Sequence, residues 1–107
     1  MNMKRKKKVI EYKILNNKFA DYNILQINYY IKYKLQNPIA AKNITQSLKN
    51  RIRILKQFPY LGKRYSKENP NIIIFIHKKY LIFYEIQEKE KLIIIKTIIH
   101  SMQNRNI

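Results

Sequence analysis

Cysteine is absent from the chain, glycine occurs once and proline three times. Disulfides and thiolate metal sites are thereby excluded, and metal ligation would rest on two histidines and six acids. No apolar run approaches the roughly 20 residues of a membrane span. The basic head Lys4-Arg5-Lys6-Lys7-Lys8 leads into a segment holding Glu11 and Lys13, not into the apolar core of a signal peptide. A soluble, unexported, cytoplasmic chain without a membrane partner is the expectation. Gly-rich phosphate loops, metal-ligand spacings, Ser/His/Asp patterns and internal repeats are all missing, so no metal or other cofactor is expected.

Acidic residues are scarce too. Six Asp and Glu stand against 23 Lys and Arg, a formal charge of +17 on 107 residues. So large an imbalance repels itself and attracts polyanions, which points to an acidic partner, nucleic acid or both. The alternative is a merely basic surface, since the abundance of Ile, Lys, Asn and Tyr also matches an AT-rich coding bias.

The length suits one compact domain with a single core. Residues 1–7 read as a basic flexible arm, 8–100 as the domain and 101–107 as a polar, mobile tail. Alternation predicts a half-buried strand from Lys8 to Leu15, with Ile10, Tyr12 and Ile14 on one face. From Lys18 to Leu35, Ala20, Ile24, Ile27, Ile31 and Leu35 recur at steps of three and four, the stripe of a helix facing a core. Asn37 is placed to cap a second helix with Pro38 in its first turn. Its stripe is Ala41, Ile44, Leu48, Ile52 and Leu55, running toward Gln57. So short a connection predicts an antiparallel helical hairpin.

After Phe58-Pro59 a polar loop, Tyr60 to Asn71, carries the single glycine, Gly62. Three strands follow: Ile72–Ile76, an apolar run of interior type; Tyr80–Ile86; and Leu92–Ile99. The run Gln87 to Lys91 joins the last two as a hairpin. The expected fold is α+β: an N-terminal strand, a helical hairpin, then three antiparallel strands, giving a four-stranded, largely antiparallel sheet with the helices on one face.

That order of elements, with Ala20-Asp21, Ile27, Tyr30-Ile31, Asn37-Pro38, Ala40-Ala41, Asn43, Phe58-Pro59, Gly62, Tyr65, Tyr80-Leu81-Ile82-Phe83-Tyr84-Glu85-Ile86 and Ile98-Ile99-His100, resembles the RelE/ParE superfamily of toxins from type II toxin–antitoxin systems. The resemblance spans about residues 12–103. It implies a toxin held inactive in a hetero-oligomer by an acidic antitoxin that lays an extended or helical segment over it. A basic surface would steer and select such a partner.

The superfamily has two outcomes, ribosome-dependent cleavage of messenger RNA and poisoning of DNA gyrase. RNA cleavage needs a base, an acid and cations around the phosphate. At the positions where RelE-like nucleases carry basic groups this chain has Ile72, Ile74, Leu81 and Ser101. The Phe-Pro-x-x-Gly segment, the Tyr-Leu-Ile-Phe-Tyr strand and the Ile-Ile-His ending are more similar to the ParE side, so gyrase is the favoured target and a non-enzymatic toxin the favoured reading. ParE-like chains commonly carry Arg where Ile73 and Ile74 stand here, which leaves open a degenerate toxin that still binds antitoxin.

His100, Glu85 and Tyr84 are the catalytic candidates if the chain is a nuclease. The plainer readings are a structural hydrogen bond for His100, a salt bridge for Glu85 and core packing for Tyr84. His77, beside Lys78-Lys79, reads as a solvated turn residue. Lys63, Arg64, Lys67, Lys78 and Lys79, with His100, are the candidates for target or phosphate contact if they converge at one end of the sheet; otherwise they are solvated loop charges. Tyr22, Tyr29, Tyr30 and Tyr33 on the first helix are the candidates for antitoxin binding, because Tyr offers apolar area with a polar tip. A plain basic nucleic-acid-binding protein is the remaining class.

Overall fold

A computed structural model describes residues 10–104. The basic arm expected at residues 1–7 and the end of the expected tail, 105–107, lie outside the described residues. The chain runs β1 (Lys13–Asn16), α1 (Lys18–Tyr29), a π-helical turn (Tyr30–Lys34), α2 (Pro38–Ile54), β2 (Lys63–Arg64), β3 (Ile72–His77), β4 (Tyr80–Gln87), β5 (Leu92–His100) and a final helical turn, α3 (Ser101–Asn104). No helix among the described residues is long and apolar enough to cross a membrane.

Both long helices start on an asparagine cap. Asn17 Oδ1 accepts from the Ala20 amide at 3.0 Å, and Asn37 Oδ1 accepts from the Ala40 amide at 3.0 Å. Each satisfies a donor that the first helical turn leaves without a carbonyl. Pro38 stands at the start of α2, where no amide hydrogen is needed. Ala20, Ile24, Ile31, Ala41, Leu48, Ile52 and Leu55 are buried, as the stripes predict.

Leu35 is not: it is 56 % exposed. The widened turn at Tyr30–Lys34, closed by the Leu35 amide on the Tyr30 carbonyl at 3.1 Å, adds a residue to the helical repeat and rotates Leu35 off the core face. Gln36 then takes a φ of 51°, turning the chain into α2.

The sheet has five strands, ordered β1-β5-β4-β3-β2, and is mixed. This corrects the four-stranded expectation at two places. Lys63 and Arg64 pair with Ile74 and Ile73, adding a short antiparallel edge strand inside the supposed loop. β1 pairs parallel with β5, from Lys13 opposite Leu92 to Asn16 opposite Ile95. A parallel partner requires a long crossover, and the helices and three intervening strands provide it. β1 also begins later than expected, so Ile10 precedes the ladder and is 62 % exposed.

On β4, Tyr80, Ile82 and Tyr84 face the core and Leu81, Phe83 and Glu85 the opposite side, as alternation requires. β5 departs from strict alternation. Phe83 lies opposite Thr97 but Tyr84 lies opposite Ile95, so Lys96 is an extra, bulged residue and Ile93, Ile95 and Ile98 all point into the core. β3 is covered on one face only. Ile73 and Phe75 are buried while Ile76 is exposed, so its apolar run is not that of a fully interior strand.

One core joins these faces: Leu48, Ile52 and Leu55 of the helical side meet Ile82, Tyr84, Ile93 and Ile95 of the sheet. Full burial of each such aliphatic side chain stabilises by about 1.5–3 kcal/mol.

Candidate functional site

The nuclease candidates are not brought together. Tyr84 is fully buried; its hydroxyl donates to the Pro59 carbonyl at 2.7 Å and accepts from the Gly62 amide at 3.2 Å. Burial holds its phenol above the usual range, with the Gly62 hydrogen bond acting the other way. Glu85 points to the opposite face and pairs with Lys96 at 3.5 Å. His100 lies opposite Tyr80, so about 17 Å of strand separates it from the Glu85 position. The plainer readings hold for Tyr84 and Glu85.

The Phe-Pro-x-x-Gly segment acquires a physical role from the same contacts. Pro59 and Gly62 clasp the Tyr84 hydroxyl, and Gly62 lies so close to β3 that a Cβ there would come within 2.5 Å of the Ile73 side chain and the Ile74 carbonyl oxygen. Only glycine permits that approach. The segment docks the loop onto the sheet.

The cationic candidates do not form one cluster. The Tyr65 amide bonds the Ile72 carbonyl, so Lys67 belongs to the end where β3 begins. Lys78 and Lys79 occupy the turn after β3 ends, and Lys63 and Arg64 pair along its first half. The loop cations and the Lys78-Lys79 turn lie apart because β2 runs antiparallel to β3 and carries the loop away from that turn.

His77 ends β3 and is partly buried, contrary to the solvated-turn expectation. Its Nε2 lies 3.0 Å from Ser47 Oγ on α2. Burial first, then the charges of Lys78 and Arg51, hold its pKa below the ordinary histidine value.

His100 also makes the structural hydrogen bond of its plainer reading. The Met102 amide donates to its Nδ1 at 3.1 Å, which leaves Nε2 to carry the proton in the neutral ring. The Tyr80 ring meets it edge to face at 5.3 Å. Both border a groove of about 880 Å³ between α1 and the end of β5, which Tyr22, Leu25, Tyr29 and Tyr30 also line. Sequence reasoning missed Leu25 and Met102, although Leu25 belongs with Tyr22 and Tyr29 to a second apolar row opposite the core stripe. Tyr33 is not part of the groove lining but packs on Tyr29 at 4.7 Å, with the Lys32 ammonium 5.2 Å from its ring centre. Asn23 sets the depth of the groove, its Oδ1 accepting from Thr97 Oγ1 and the Ile98 amide at 2.8 and 2.9 Å.

A family model described as the ParE toxin of type II toxin–antitoxin systems matches residues 17–105. The chain belongs to the ParE toxin family. Its fold is shared with two solved toxin–antitoxin systems. The RelBE2 complex from Mycobacterium tuberculosis has a chain 14% identical with a TM-score of 0.66, the match covering 89% of this chain and 97% of that one. The chromosomal ParDE system of P. aeruginosa has a chain 17% identical with a TM-score of 0.67, covering 84% and 96%. No curated protein matches the sequence.

Among the described residues of this ParE-family chain, no group of three His, Asp or Glu side chains could hold a metal ion. What the groove offers is an aromatic surface with His100 at one end and Lys34 in its lining. Such an arrangement suits contact with a macromolecule better than enclosure of a small substrate.

Proposed function

We propose that the chain is a ParE-type toxin that acts on DNA gyrase and is neutralised by an acidic antitoxin seated along the groove between α1 and β5. The observation that carries the target is the dispersal of the RNA-cleavage groups. Tyr84 is consumed by the fold, Glu85 by Lys96, and neither is near His100. The positions Ile72, Ile74 and Leu81 bring no cation to the central strands. A cleavage mechanism would have no paired acid and base among these candidates and no cation at those strand positions to stabilise the crowded phosphate.

The antitoxin reading is supported by the exposed row on α1. Leu25 and Tyr29 are 67 % and 63 % exposed, a large apolar investment on a face turned from the core. Lys18, Lys32 and Lys34 flank it, with Asp21 the one acid on the helix. An amphipathic segment with acidic flanks is the complement, whereas a second copy at +17 would be repelled.

Induction in a bacterial host without antitoxin, with labelled-precursor uptake followed over minutes, tests the target. DNA synthesis is expected to fall first, with a rise in the DNA-damage response. An initial collapse of protein synthesis would instead establish RNA cleavage, and growth without arrest would identify a degenerate toxin.

A further inference from the structure

The end of β3 and the middle of α2 hold a second polar cluster, outside the groove and without a part in the proposed antitoxin contact. Ser47 Oγ lies 3.0 Å from the Ile44 carbonyl and 3.0 Å from His77 Nε2. The carbonyl can only accept, so the hydroxyl hydrogen goes there and His77 Nε2 must donate to Oγ. The pair is therefore not a nucleophile and its base: the serine proton is already committed, and the imidazole is oriented the wrong way to take it. What the arrangement does is fix the ring, leaving Nδ1 as its second nitrogen.

Two cations face this ring. Arg51, one turn beyond Ser47 on α2, has its guanidinium over the Phe75 ring at 4.5 Å, and Lys78 follows His77 directly. The contact with Phe75 positions the guanidinium, which makes no hydrogen bond to any described residue. No acid lies on α2, on β3 or in the turn. The only ion pairs among the described residues, Lys91–Glu88 and Lys96–Glu85, are elsewhere. Arg51 and His77 are thus held by contacts with Phe75 and Ser47, and the exposed Lys78 adjoins them, with no counter-charge on these elements.

We infer that Arg51, His77 and Lys78 form a phosphodiester-binding site that takes a backbone phosphate of duplex DNA. Phosphate is favoured over carboxylate because the three basic residues come from different elements, α2, β3 and the turn, which suits several oxygens around one phosphorus better than the two coplanar oxygens of a carboxylate. Burial first, then Lys78 and Arg51, lower the His77 pKa, and an adjacent phosphate would act the other way by favouring the imidazolium. The inference does not depend on gyrase being the target.

The test is the salt dependence of binding to a fluorescent duplex, measured by anisotropy for the full chain. Arg51→Gln and Lys78→Asn are compared with Lys42→Gln and Lys49→Gln, which remove equal charge from exposed positions of α2. Asn is chosen because Lys78 has a φ of 56°. Each cluster variant is expected to weaken binding several-fold and to reduce the slope of log K against log salt by about 1, with smaller changes in the controls. Equal slopes in all four would mean a diffuse field and would overturn the site.

A second readout does not rely on substitution. The His77 ring resonances of the unaltered chain should titrate at higher pH in inorganic phosphate than in chloride of the same ionic strength. No difference, or displacement of duplex by polyglutamate as readily as by polyphosphate, counts against phosphate recognition.

Discussion

Tyrosine is used in opposite ways at two regions of this molecule. At the corner where the α2–β2 loop meets the β4–β5 hairpin, Tyr12, Tyr60 and Tyr84 each direct a hydroxyl to a partner within the fold. Tyr12 and Tyr60 donate to the two oxygens of Glu88 at 2.7 and 2.5 Å, and Lys91 pairs with the same carboxylate. On the outer side of α1, Tyr29, Tyr30 and Tyr33 turn to solvent with no hydroxyl bond to a described residue. The first region is a clasp that closes the domain, and the second is a surface left open. The difference lies in whether a distant loop or turn supplies an acceptor, not in the residue type.

Substitutions can break that contrast at either side. Tyr84→Ala is expected to have the largest effect, lowering stability by about 3–5 kcal/mol in urea unfolding, because it empties a core position. Tyr84→Phe should cost about 1–2 kcal/mol, by leaving the Pro59 carbonyl and Gly62 amide without their shared partner. Gly62→Ala falls between these two, at about 2 kcal/mol, since the new methyl must push Ile73 or the β3 backbone aside. A fully stable Gly62→Ala protein would show that the loop is not clamped as described.

On the open side the same kind of change should spare the fold. Tyr29→Ala with Tyr33→Ala is expected to reduce antitoxin affinity by about tenfold or more in calorimetry while changing stability by under about 0.5 kcal/mol. Unchanged affinity would place the antitoxin elsewhere. A loss of stability as large as at Tyr84 would erase the distinction between the regions.

The smallest effect is the pH dependence of the clasp. Hydrogen bonds from Lys91, Tyr60 and Tyr12, in that order, hold the Glu88 carboxyl down to about 2 from its ordinary 4.5. A depressed folded-state pKa stabilises above the unfolded value, so this contribution is complete above pH 4.5 and is lost as the pH falls toward 2. The Tm difference between the unaltered chain and Glu88→Gln should shrink across that interval. Being solvent-exposed, the cluster should also weaken with salt.

Much of the fold was legible because it follows from local periods. The Asn37-Pro38 start, the buried rows on both helices and the two faces of β4 depend on residues three, four or two apart, and neighbours along the chain suffice to set them. The failures have a common cause. Leu35 was displaced by a π-helical turn that leaves no mark on the apolar spacing, and Lys96 by a bulge that only pairing with β4 reveals. Tyr22, Tyr29, Tyr30 and His100, singled out in the sequence for different roles, line one groove that no local pattern reveals. Lys67 and Lys78 lie toward opposite ends of β3, which their sequence does not show, and the link between His77 and Ser47 was invisible at a separation of 30 residues.

Composition and periodicity by themselves determined a basic, cysteine-free α+β domain, its helical hairpin and the inward face of its central strand. Only the tertiary structure decided that β1 lies parallel to β5, that Lys63 and Arg64 form an edge strand, and which cations have neighbours. Side-chain period is a local property written along the chain. Strand pairing is made by backbone amides and carbonyls that every residue shares, so its choice of partners emerges only when the whole chain closes around one core.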